Sequence, residues 1–415
     1  MDLTSEQNQI VNDGVRWFRD KSKQVFEIAG KAGTGKSVVL NEIVNRLGLQ
    51  PYQYLAAAYT GAAAIVMRMR GFPTARSLHS TFYHYEKRVV SSNKFETPYM
   101  NTQFNLAKEE YVFVPIPVGS ISPSIKLIII DEGYMVPEDM KNVILKHGIK
   151  VLVAGDPNQL PPITGNPAFL VNPGVHYLTQ IMRQNSNNPI LYLADRALNN
   201  EPIHCGVYGN QVLVIEDNDL TNEMVLNIGN IICGTNKTRD MFNYSIRNML
   251  GRTNESPEYG DRVICRENDW DKENDGIALA NGLQGFIVSP ITPSRFFDKR
   301  YAGNKQSNKG REGTFKMDFL PDLLNLPFRD LDVNYEYIVS DYNRRKQIKN
   351  DRYSFGELFE YAYAITTHLS QGSEYPAGIF YEEFLRPDIQ RSLIYTGITR
   401  FKNYMIYVKK TKKYY

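Results

Sequence analysis

Cysteine is scarce in this chain, and neither sign of charge dominates its composition. The 415 residues include only 3 cysteines and carry a formal net charge of +3. The cysteines are far apart, so the sequence holds no zinc-ligand spacing and no disulfide framework. A chain so nearly balanced in charge can bind polyanions only through a local basic track. No apolar run approaches the length of a membrane span, and the polar N-terminus is not a signal peptide. We therefore expect a cytoplasmic protein with no membrane partner.

Short apolar runs alternate with helical patterns in the first half of the chain. These runs occupy residues 25–29, 54–58, 127–131 and 151–156. The rhythm predicts an α/β fold, in which helices cover a parallel sheet and the chemistry lies at the carboxyl ends of the strands. A second set of runs predicts a second unit of the same kind, at residues 212–215, 230–233, 363–366 and 403–408.

Two stretches interrupt this rhythm and predict insertions. The first, at 83–123, is aromatic and contains several Ser and Pro residues. The second, at 286–360, contains a polar, basic segment between the strand-like pieces GFIV and YEYIV, so it should be mostly β. We therefore predict one domain over 1–185, with a small insertion at about 83–123. A second domain should cover 186–415, with a mostly β insertion at about 286–360.

The segment GKAGTGKS (30–37) matches the phosphate-binding pattern G-x-x-x-x-G-K-[ST] at every fixed position. It follows a predicted strand and opens a predicted helix, so backbone N–H groups and the helix N-terminus should surround the phosphates of ATP. Lys36 should reach the β- and γ-phosphates, and Ser37 should hold Mg²⁺. The bland alternative is a glycine-rich turn with no ligand. The candidate nucleotide-binding residues of this loop are Gly30, Ala32, Gly33, Thr34, Gly35, Lys36 and Ser37.

An acid pair ends the apolar run at 127–131. After a phosphate-binding loop, Asp131 is the candidate carboxylate on the Mg²⁺ side, and Glu132 is the candidate base that activates the attacking water. The next strand is followed by GDPNQLPP (155–162), in which Asp156 and Gln159 could detect the γ-phosphate. A Pro/Asn turn explains that segment equally well, so the residues alone leave the role of Gln159 open.

The order of these motifs resembles that of superfamily-one helicases. Within that superfamily it resembles the RecD-like and Dda-like phage branch, which contains 5′→3′ DNA helicases. The matching motifs run from Leu3 to the C-terminus and leave out the two insertions. The resemblance implies two RecA-like, parallel-sheet P-loop domains, and an SH3-like form for the second insertion.

Several nucleotide-side residues follow from the resemblance. Gln7 in LTSEQNQI corresponds to an adenine-reading glutamine, although Thr4 to Gln7 also forms a T-x-x-Q capping box. Gln159 would sense the γ-phosphate, and two motifs would supply catalytic arginines, LTQIMRQ with Arg183 and YTGITR with Arg400. In AITTHLSQGSEY (364–375), the nucleotide-side candidates are Gln371, Gly372 and Glu374, with Glu374 expected near the ribose.

The resemblance also implies a set of DNA contacts. AAYTGAAA (57–64) matches a motif that grips the DNA backbone, although Tyr59 stands where the family commonly has proline. ARSLHST, ICGTNKTRD and AITTHLSQGSEY match further DNA-contacting motifs. The candidate residues are Thr60, Ser77, His79, Ser80, Thr235, Asn236, Thr366, His368 and Ser370. A strand-splitting element is expected in the first insertion, unless its aromatic residues only form a small core. The available residues are Phe95, Phe104, Tyr111 and Phe113.

The function implied is ATP-dependent movement 5′→3′ along single-stranded DNA with unwinding of duplex. The polarity rests on the layout of the insertions, because the 3′→5′ branch typically carries large helical insertions for which 415 residues leave little room. Phage replication or recombination in the host bacterial cytoplasm is the expected setting. Duplex junctions are expected as substrates, and a single-strand-binding, replisome or recombination protein is an expected partner. Two alternatives stay open: an RNA-directed helicase, and a nucleotide-gated strand-binding subunit that does not unwind.

Overall fold

The computed structural model describes residues 3–91, 107–162, 165–171, 173–180, 188–253, 255–274, 277–293, 313–350 and 356–411. Two six-stranded sheets form the centres of two α/β units, and a further β sheet interrupts the second unit. Among the described residues, no helix combines the length and the apolar character that crossing a bilayer would need.

The first α/β unit, residues 3–180, is built on a parallel sheet. Its elements in chain order are α1 Ser5–Arg19, β1 Val25–Gly30, α2 Lys36–Leu47, β2 Tyr54–Ala58, α3 Gly61–Met69, β3 Arg76–Ser77, α4 Leu78–Phe82, β4 Tyr83–Ser91, β5 Ala107–Pro115, β6 Leu127–Asp131, α5 Glu138–Leu145, β7 Lys150–Gly155 and β8 His176–Leu178. The strand order is β3-β2-β6-β7-β1-β8, and every pair in it is parallel. The carboxyl ends of β6, β7 and β1 therefore lie side by side.

Helices cover both faces of this first sheet, which explains its continuous apolar strands. On β6, Leu127 and Ile129 belong to the core shared with α1 and α2. Ile128 and Ile130 belong to the core on the opposite face, which includes residues of α4 and α5. Successive side chains of a strand point to opposite faces, so the apolar run places two residues in each core.

A β hairpin occupies part of the predicted first insertion. The strands β4 and β5 are antiparallel, and their register runs from Tyr83 opposite Pro115 to Ser91 opposite Ala107. Phe113 lies near its base and is 42% exposed. The other proposed strand-splitting aromatics, Phe95 and Phe104, lie outside the described residues, as does the side chain of Tyr111.

The second α/β unit covers residues 188–411. The chain's remaining elements are α6 Pro189–Leu198, β9 Gly206–Tyr208, β10 Val212–Glu216, α7 Asn222–Ile228, β11 Ile231–Cys233, α8 Asn236–Met249, β12 Arg262–Cys265, β13 Asp269–Asn274, β14 Ile277–Leu279, β15 Gln284–Ile287, β16 Thr292–Pro293, β17 Thr314–Pro321, β18 Phe328–Asn334, α9 Tyr335–Val339, α10 Tyr342–Asn350, β19 Phe359–Tyr361, β20 Ala364–Thr366, β21 Tyr375–Tyr381, α11 Pro387–Ile398 and β22 Phe401–Lys409. Its sheet has the order β20-β11-β21-β22-β10-β9. All of its pairs are parallel except β9 with β10.

The interrupting β-sheet unit, residues 262–361, is larger than the predicted insertion at 286–360. The strand β12 pairs with both β15 and β19, so the sheet begins at Arg262 and not at 286. The prediction of a strand at YEYIV is wrong, because these residues form the helix α9. The side chain of Asn334 caps that helix by accepting from the N–H of Tyr337 at 2.8 Å. This cap favours a helical start over an extended strand.

A buried ionic cluster attaches the β-sheet unit to the second α/β unit. Glu360 on β19 pairs with Arg239 of α8 at 2.9 Å and with Arg266 at 3.0 Å. Burial alone would raise the pKa of Glu360, but Arg266, Arg239 and Arg345 hold it at about 2. A buried carboxylate matched by several arginines fixes the orientation of the elements that carry them. We infer that the two units move together.

Gly285 provides a test of this β sheet. A Cβ at position 285 would lie 2.0 Å from the carbonyl oxygen of Leu320 and 2.6 Å from Cα of Pro321. Both atoms belong to the paired strand β17, so they cannot move aside cheaply. We expect Gly285→Ala to lower the free energy of unfolding by about 1–3 kcal/mol, as overpacking does. The measurement is chemical denaturation. Gly313→Ala is the matched control, because no atom of the described residues lies within 4 Å of a Cβ there. Equal stability of the two variants would contradict this account.

Candidate nucleotide site and nucleic-acid interface

The loop between β1 and α2 has a backbone that only glycine permits at several points. Gly33 and Gly35 adopt left-handed φ values of 83° and 84°. A Cβ at Gly30 would lie 2.5 Å from Thr34 Oγ1. Lys36 begins α2, and its Nζ donates to the carbonyl of Gly30 at 2.7 Å. The loop therefore carries its lysine at a helix N-terminus, where phosphate oxygens bind.

The acid pair at the end of β6 faces this loop. Glu132 adopts a left-handed φ of 55°, a strained conformation that occurs often at functional sites. Burial and the charge of Asp131 raise the pKa of Glu132, while Arg400 and Lys36 act in the opposite direction. A raised pKa suits a carboxylate that accepts a proton from water. The structure thus brings Lys36, Asp131 and Glu132 of the first unit close to Arg400 of the second.

Ser37 and Asp131 could hold Mg²⁺. The guanidinium of Arg70 contacts Ser37 Oγ at 3.1 Å and lies within electrostatic reach of Asp131, so the two candidate ligands lie near each other. A hydroxyl and a carboxylate are the hard oxygen ligands that Mg²⁺ prefers beside substrate phosphates. The donor set therefore fits Mg²⁺, which would neutralise charge on the phosphates when bound.

Arg70, which follows α3, was not predicted from the sequence. It donates to Glu374 Oε2 at 2.7 Å, and Lys402 pairs with the same oxygen at 2.6 Å. Glu374 therefore lies in ion pairs beside the metal-side residues, and its expected position near a ribose stays a prediction. No motif marks Arg70, because an arginine at the C-terminal end of a helix is common for reasons of helix electrostatics.

The N-terminal helix supports the phosphate-binding loop. The capping box of Thr4 and Gln7 is formed, and the Nε2 of Gln7 also donates to the carbonyl of Thr34 at 3.1 Å. Gln7 thus caps α1 and docks it on the loop, while adenine reading stays a prediction. The carboxylate of Glu6 accepts from the N–H groups of Thr179 and Gln180. These residues lead toward Arg183, which lies outside the described residues.

The loop at 156–160 follows β7, between the phosphate-binding loop and the acid pair. Asp156 is fully buried, and one of its oxygens accepts from the N–H and the Nδ2 of Asn158, both at 3.0 Å. Its other oxygen accepts from the hydroxyl of Tyr395. Gln159 is 5% exposed, and its Oε1 has no hydrogen-bond partner among the described residues. A buried, unpartnered acceptor fits a site for a phosphate-bound water.

The second unit contacts this loop directly. Gln371 donates from its Nε2 to the carbonyl of Leu160 at 2.9 Å. Arg400 is 4% exposed, and its Nε donates to the carbonyl of Thr396 at 3.1 Å. The side chain of Gln371 thus contacts the loop that carries Gln159, and its expected place beside the nucleotide stays a prediction.

Gly372 lies at a close contact between the two units. It has a left-handed φ of 78°, and a Cβ there would lie 2.6 Å from the Cβ of Ala63 and 3.0 Å from Thr60 Oγ1. It therefore packs against the start of α3, beside a predicted DNA contact and not among the loop residues. The close contact between the two units requires glycine at this position for lack of space, and the nucleotide-binding assignment of Gly372 stays a prediction.

The predicted DNA contacts of the first unit lie at two helix starts. Thr60 caps α3 and accepts from the N–H of Ala63 at 3.2 Å. Ser77 caps α4 and accepts from the N–H of Ser80, also at 3.2 Å. Helix N-termini bind phosphate groups, so this arrangement suits a nucleic-acid backbone. Burial lowers the pKa of His79, the residue between these serines, which keeps its ring neutral near pH 7.

An aromatic cluster surrounds His79. Its ring lies 5.8 Å from that of Tyr59, 5.7 Å from that of Tyr83 and 5.1 Å from that of Phe113, measured between centroids. Tyr59, which replaces the proline expected by resemblance, therefore packs against the base of the β4–β5 hairpin. The cluster joins the hairpin to the predicted DNA contacts.

A cavity of about 310 Å³ lies between these helix starts and the β13–β14 hairpin of the β-sheet unit. Polar and charged residues form part of its wall, and they include Arg68, Arg76, Ser77, Ser80, His84 and Glu273. Cationic and hydroxyl groups beside apolar residues suit a phosphate and an adjoining base.

The groups of the second unit that were predicted to contact DNA are less available for binding a ligand. The N–H groups of Gly234 and Thr235 donate to the carboxylate of Glu383, both at 2.8 Å, so these donors are already occupied at the start of α8. Asn236 is the first residue of that helix and is partly exposed. The contact assigned to Thr235 therefore needs Glu383 to move. No motif in the sequence indicates this contact, because Glu383 lies 148 positions from Thr235.

The strand-end candidates on β20 differ in exposure. Thr366 is 6% exposed, and His368 is partly exposed with a pKa lowered by burial. Ser370 is fully buried and donates from its hydroxyl to the carbonyl of Thr367 at 2.8 Å. The turn therefore uses this hydroxyl internally, and the assignment of Ser370 as a DNA contact stays a prediction.

Two family models match the chain. The AAA domain model matches residues 2–211, a little over half of the chain. The UvrD-like helicase C-terminal domain model matches residues 361–406. No curated protein matches the chain.

Among solved structures, the chain is similar to several Pif1 helicases. One belongs to a study of DNA unwinding at forked duplex DNA by two coordinating Pif1 helicases, with 19% identity, a TM-score of 0.55, and coverage of 98% of this chain and 92% of that one. Bacteroides Pif1 with ADP-AlF3 and single-stranded DNA has 17% identity, a TM-score of 0.50 and the same coverage. Candida albicans Pif1 has 16% identity, a TM-score of 0.50, and coverage of 98% and 95%. At these identities the likeness concerns the fold, and it confirms the predicted α/β class with its RecA-like, parallel-sheet core.

Lys36→Ala tests the phosphate-binding loop. Lys36 is a charge at the loop and not a core residue, so we expect the variant to fold while its ATP hydrolysis falls by about a hundredfold or more. Turnover is measured as phosphate release, and folding by circular dichroism. Lys31→Ala, in the same loop, is the matched control. Wild-type turnover in Lys36→Ala would contradict the assignment.

Glu132→Gln tests the proposed base. The substitution keeps the shape of the side chain and removes its ability to take a proton from water. We expect ATP binding to persist while hydrolysis falls by about a hundredfold or more. Binding of a fluorescent ATP analogue and single-turnover hydrolysis separate the two effects. A loss of less than about tenfold with unchanged affinity would show that another group is the base.

Proposed function

This chain belongs to the AAA domain family and is an ATP-driven helicase, and we propose that it moves 5′→3′ on single-stranded DNA and separates duplex strands. The observation that carries the proposal is the site around Glu132, where Lys36 of the first unit and Arg400 of the second converge. A nucleotide bound between the two units would change how they sit together, because its γ-phosphate would contact both.

The DNA strand would bind at the edge of each sheet where the flanking helices begin. In the first unit, α3 and α4 offer capped N-termini beside the cavity under the β13–β14 hairpin. Backbone contacts of this kind bind without sequence preference, as a translocating motor requires. Alternating closure and opening would then let the two units hold the strand in turn.

The choice of DNA as the strand follows from the Pif1 structures, which concern forked duplex DNA in one case and single-stranded DNA in another. The β-sheet unit and the short hairpin insertion support membership of a 5′→3′ branch, since both insertions are small and strand-rich. We extend the proposal to a phage replication or recombination role in a bacterial cytoplasm, with Mg²⁺ as the metal and a single-strand-binding or replisome protein as partner.

Matched duplexes with either a 5′ or a 3′ single-stranded DNA tail test the polarity. We expect strand separation of the 5′-tailed duplex and little of the 3′-tailed one, because the strand should enter the motor in one orientation. A fluorescence assay of strand release under single-turnover conditions measures both. Lys36→Ala serves as the control for ATP-independent melting.

Three other outcomes would change the conclusion. Faster release of the 3′-tailed duplex would overturn the polarity and leave the motor in place. Faster unwinding from RNA tails than from DNA tails would favour the RNA-directed alternative. Strand binding that responds to ATP, without release from any substrate, would indicate a nucleotide-gated binding subunit.

A further inference from the structure

Tyr395, on α11 of the second unit, reaches two loops of the first. It is 1% exposed and belongs to the core of the second unit. Its hydroxyl accepts from the backbone N–H of Ala32, in the phosphate-binding loop, at 3.1 Å. The same hydroxyl donates to Asp156 Oδ2 at 2.5 Å. One oxygen atom thus connects three segments that are distant in sequence.

The direction of these two hydrogen bonds is fixed by chemistry. A backbone N–H can only donate, so the hydroxyl must accept from Ala32 and direct its single hydrogen to Asp156. Burial and the charge of Asp156 raise the pKa of Tyr395, so the hydroxyl keeps its hydrogen near pH 7.

The neighbouring contacts show that the second unit holds the 156–160 loop at both ends. Thr396, next to Tyr395 in the chain, accepts at its Oγ1 from the N–H of Leu160 at 2.9 Å. Gln371 binds the carbonyl of the same Leu160. Gln159, with its unpartnered Oε1, lies between these anchors and Asp156. Tyr395 alone among these side chains also contacts the phosphate-binding loop.

We propose that Tyr395 is a positioning residue that transmits the placement of the second unit to the nucleotide site. Its hydroxyl holds the phosphate-binding loop and the 156–160 loop at a fixed position relative to α11. Strand binding that shifts the second unit then alters both loops together, and with them the orientation of Gln159. The residue does not touch the reacting atoms. This inference rests on the proposed function, because it requires a strand that moves the second unit.

Tyr395→Phe tests the inference, since it removes the hydroxyl and keeps the ring in the core. Tyr407→Phe is the matched control, because Tyr407 is equally buried in the same core and its hydroxyl bonds to Glu382, away from the nucleotide. The first readout is the ratio of ATP hydrolysis with and without a single-stranded DNA oligonucleotide. The second is the change in oligonucleotide affinity when a non-hydrolysable ATP analogue is added.

We expect both coupling ratios to fall about tenfold in Tyr395→Phe and to stay within about twofold of wild type in Tyr407→Phe. Asp156→Asn replaces the charged acceptor of this hydrogen bond by a neutral amide and should produce a loss in the same direction. The double variant should be no worse than Tyr395→Phe alone, because both substitutions act on the same hydrogen bond. Asp156→Asn also keeps the proposal testable if Tyr395→Phe fails to fold.

The outcomes separate the two proposals. If wild-type hydrolysis does not respond to an oligonucleotide, the proposed function fails. If the wild type responds and Tyr395→Phe responds equally, the function stands and the role of Tyr395 is overturned. Equal losses in Tyr395→Phe and Tyr407→Phe, or additive losses with Asp156→Asn, would overturn it as well, because they would indicate a general packing effect.

Discussion

The parallel pairing of β6, β7 and β1 is the constraint on which the nucleotide site depends. Parallel strands end on the same side of a sheet, so the loops that follow these three neighbours must lie together. The phosphate-binding loop follows β1, the 156–160 loop follows β7, and the acid pair stands at the end of β6. The helix α2 then begins at the same edge and adds its N-terminus to the site.

The nucleotide site also depends on the contact between the two α/β units. Gly372 approaches α3 so closely that no side chain fits there. Arg70 and Glu374 form an ion pair beside Ser37, and Thr396 and Tyr395 hold the 156–160 loop. These contacts mix close packing with directional hydrogen bonds, so a small rotation of one unit would break several of them together. Such an interface is suited to two discrete arrangements more than to gradual sliding.

The β-sheet unit connects the contact between the two α/β units to the proposed DNA-binding region. The cluster around Glu360 fixes it to the second unit, while its core also includes Ile65 of α3 in the first unit. The β13–β14 hairpin consequently covers the cavity beside α4. A movement of the second unit would therefore also change the wall of the proposed strand-binding region.

The local pattern of the sequence determined the elements and much of the nucleotide site. The runs at 54–58 and 127–131 coincide with β2 and β6, because buried parallel strands need continuous apolar residues. Spacing within one short segment likewise placed Gly30, Lys36 and Ser37, since a loop and the helix it opens are local structures. The pattern was misleading at YEYIV, where five residues are too few to distinguish a strand from a capped helix.

Only the tertiary structure decided which distant groups meet. Arg70 and Glu383 lie in no motif, and the motif YTGITR marks Arg400 and not Tyr395. The contacts of these three residues were not predicted, because their partners lie 33 to 363 positions away in the chain. Only the structure shows that Ser370 is fully buried, with its hydroxyl bonded inside its own turn. Sequence periodicity reports which face of an element is apolar, but the approach of one unit to another depends on the summed packing of both, and no local pattern contains that information.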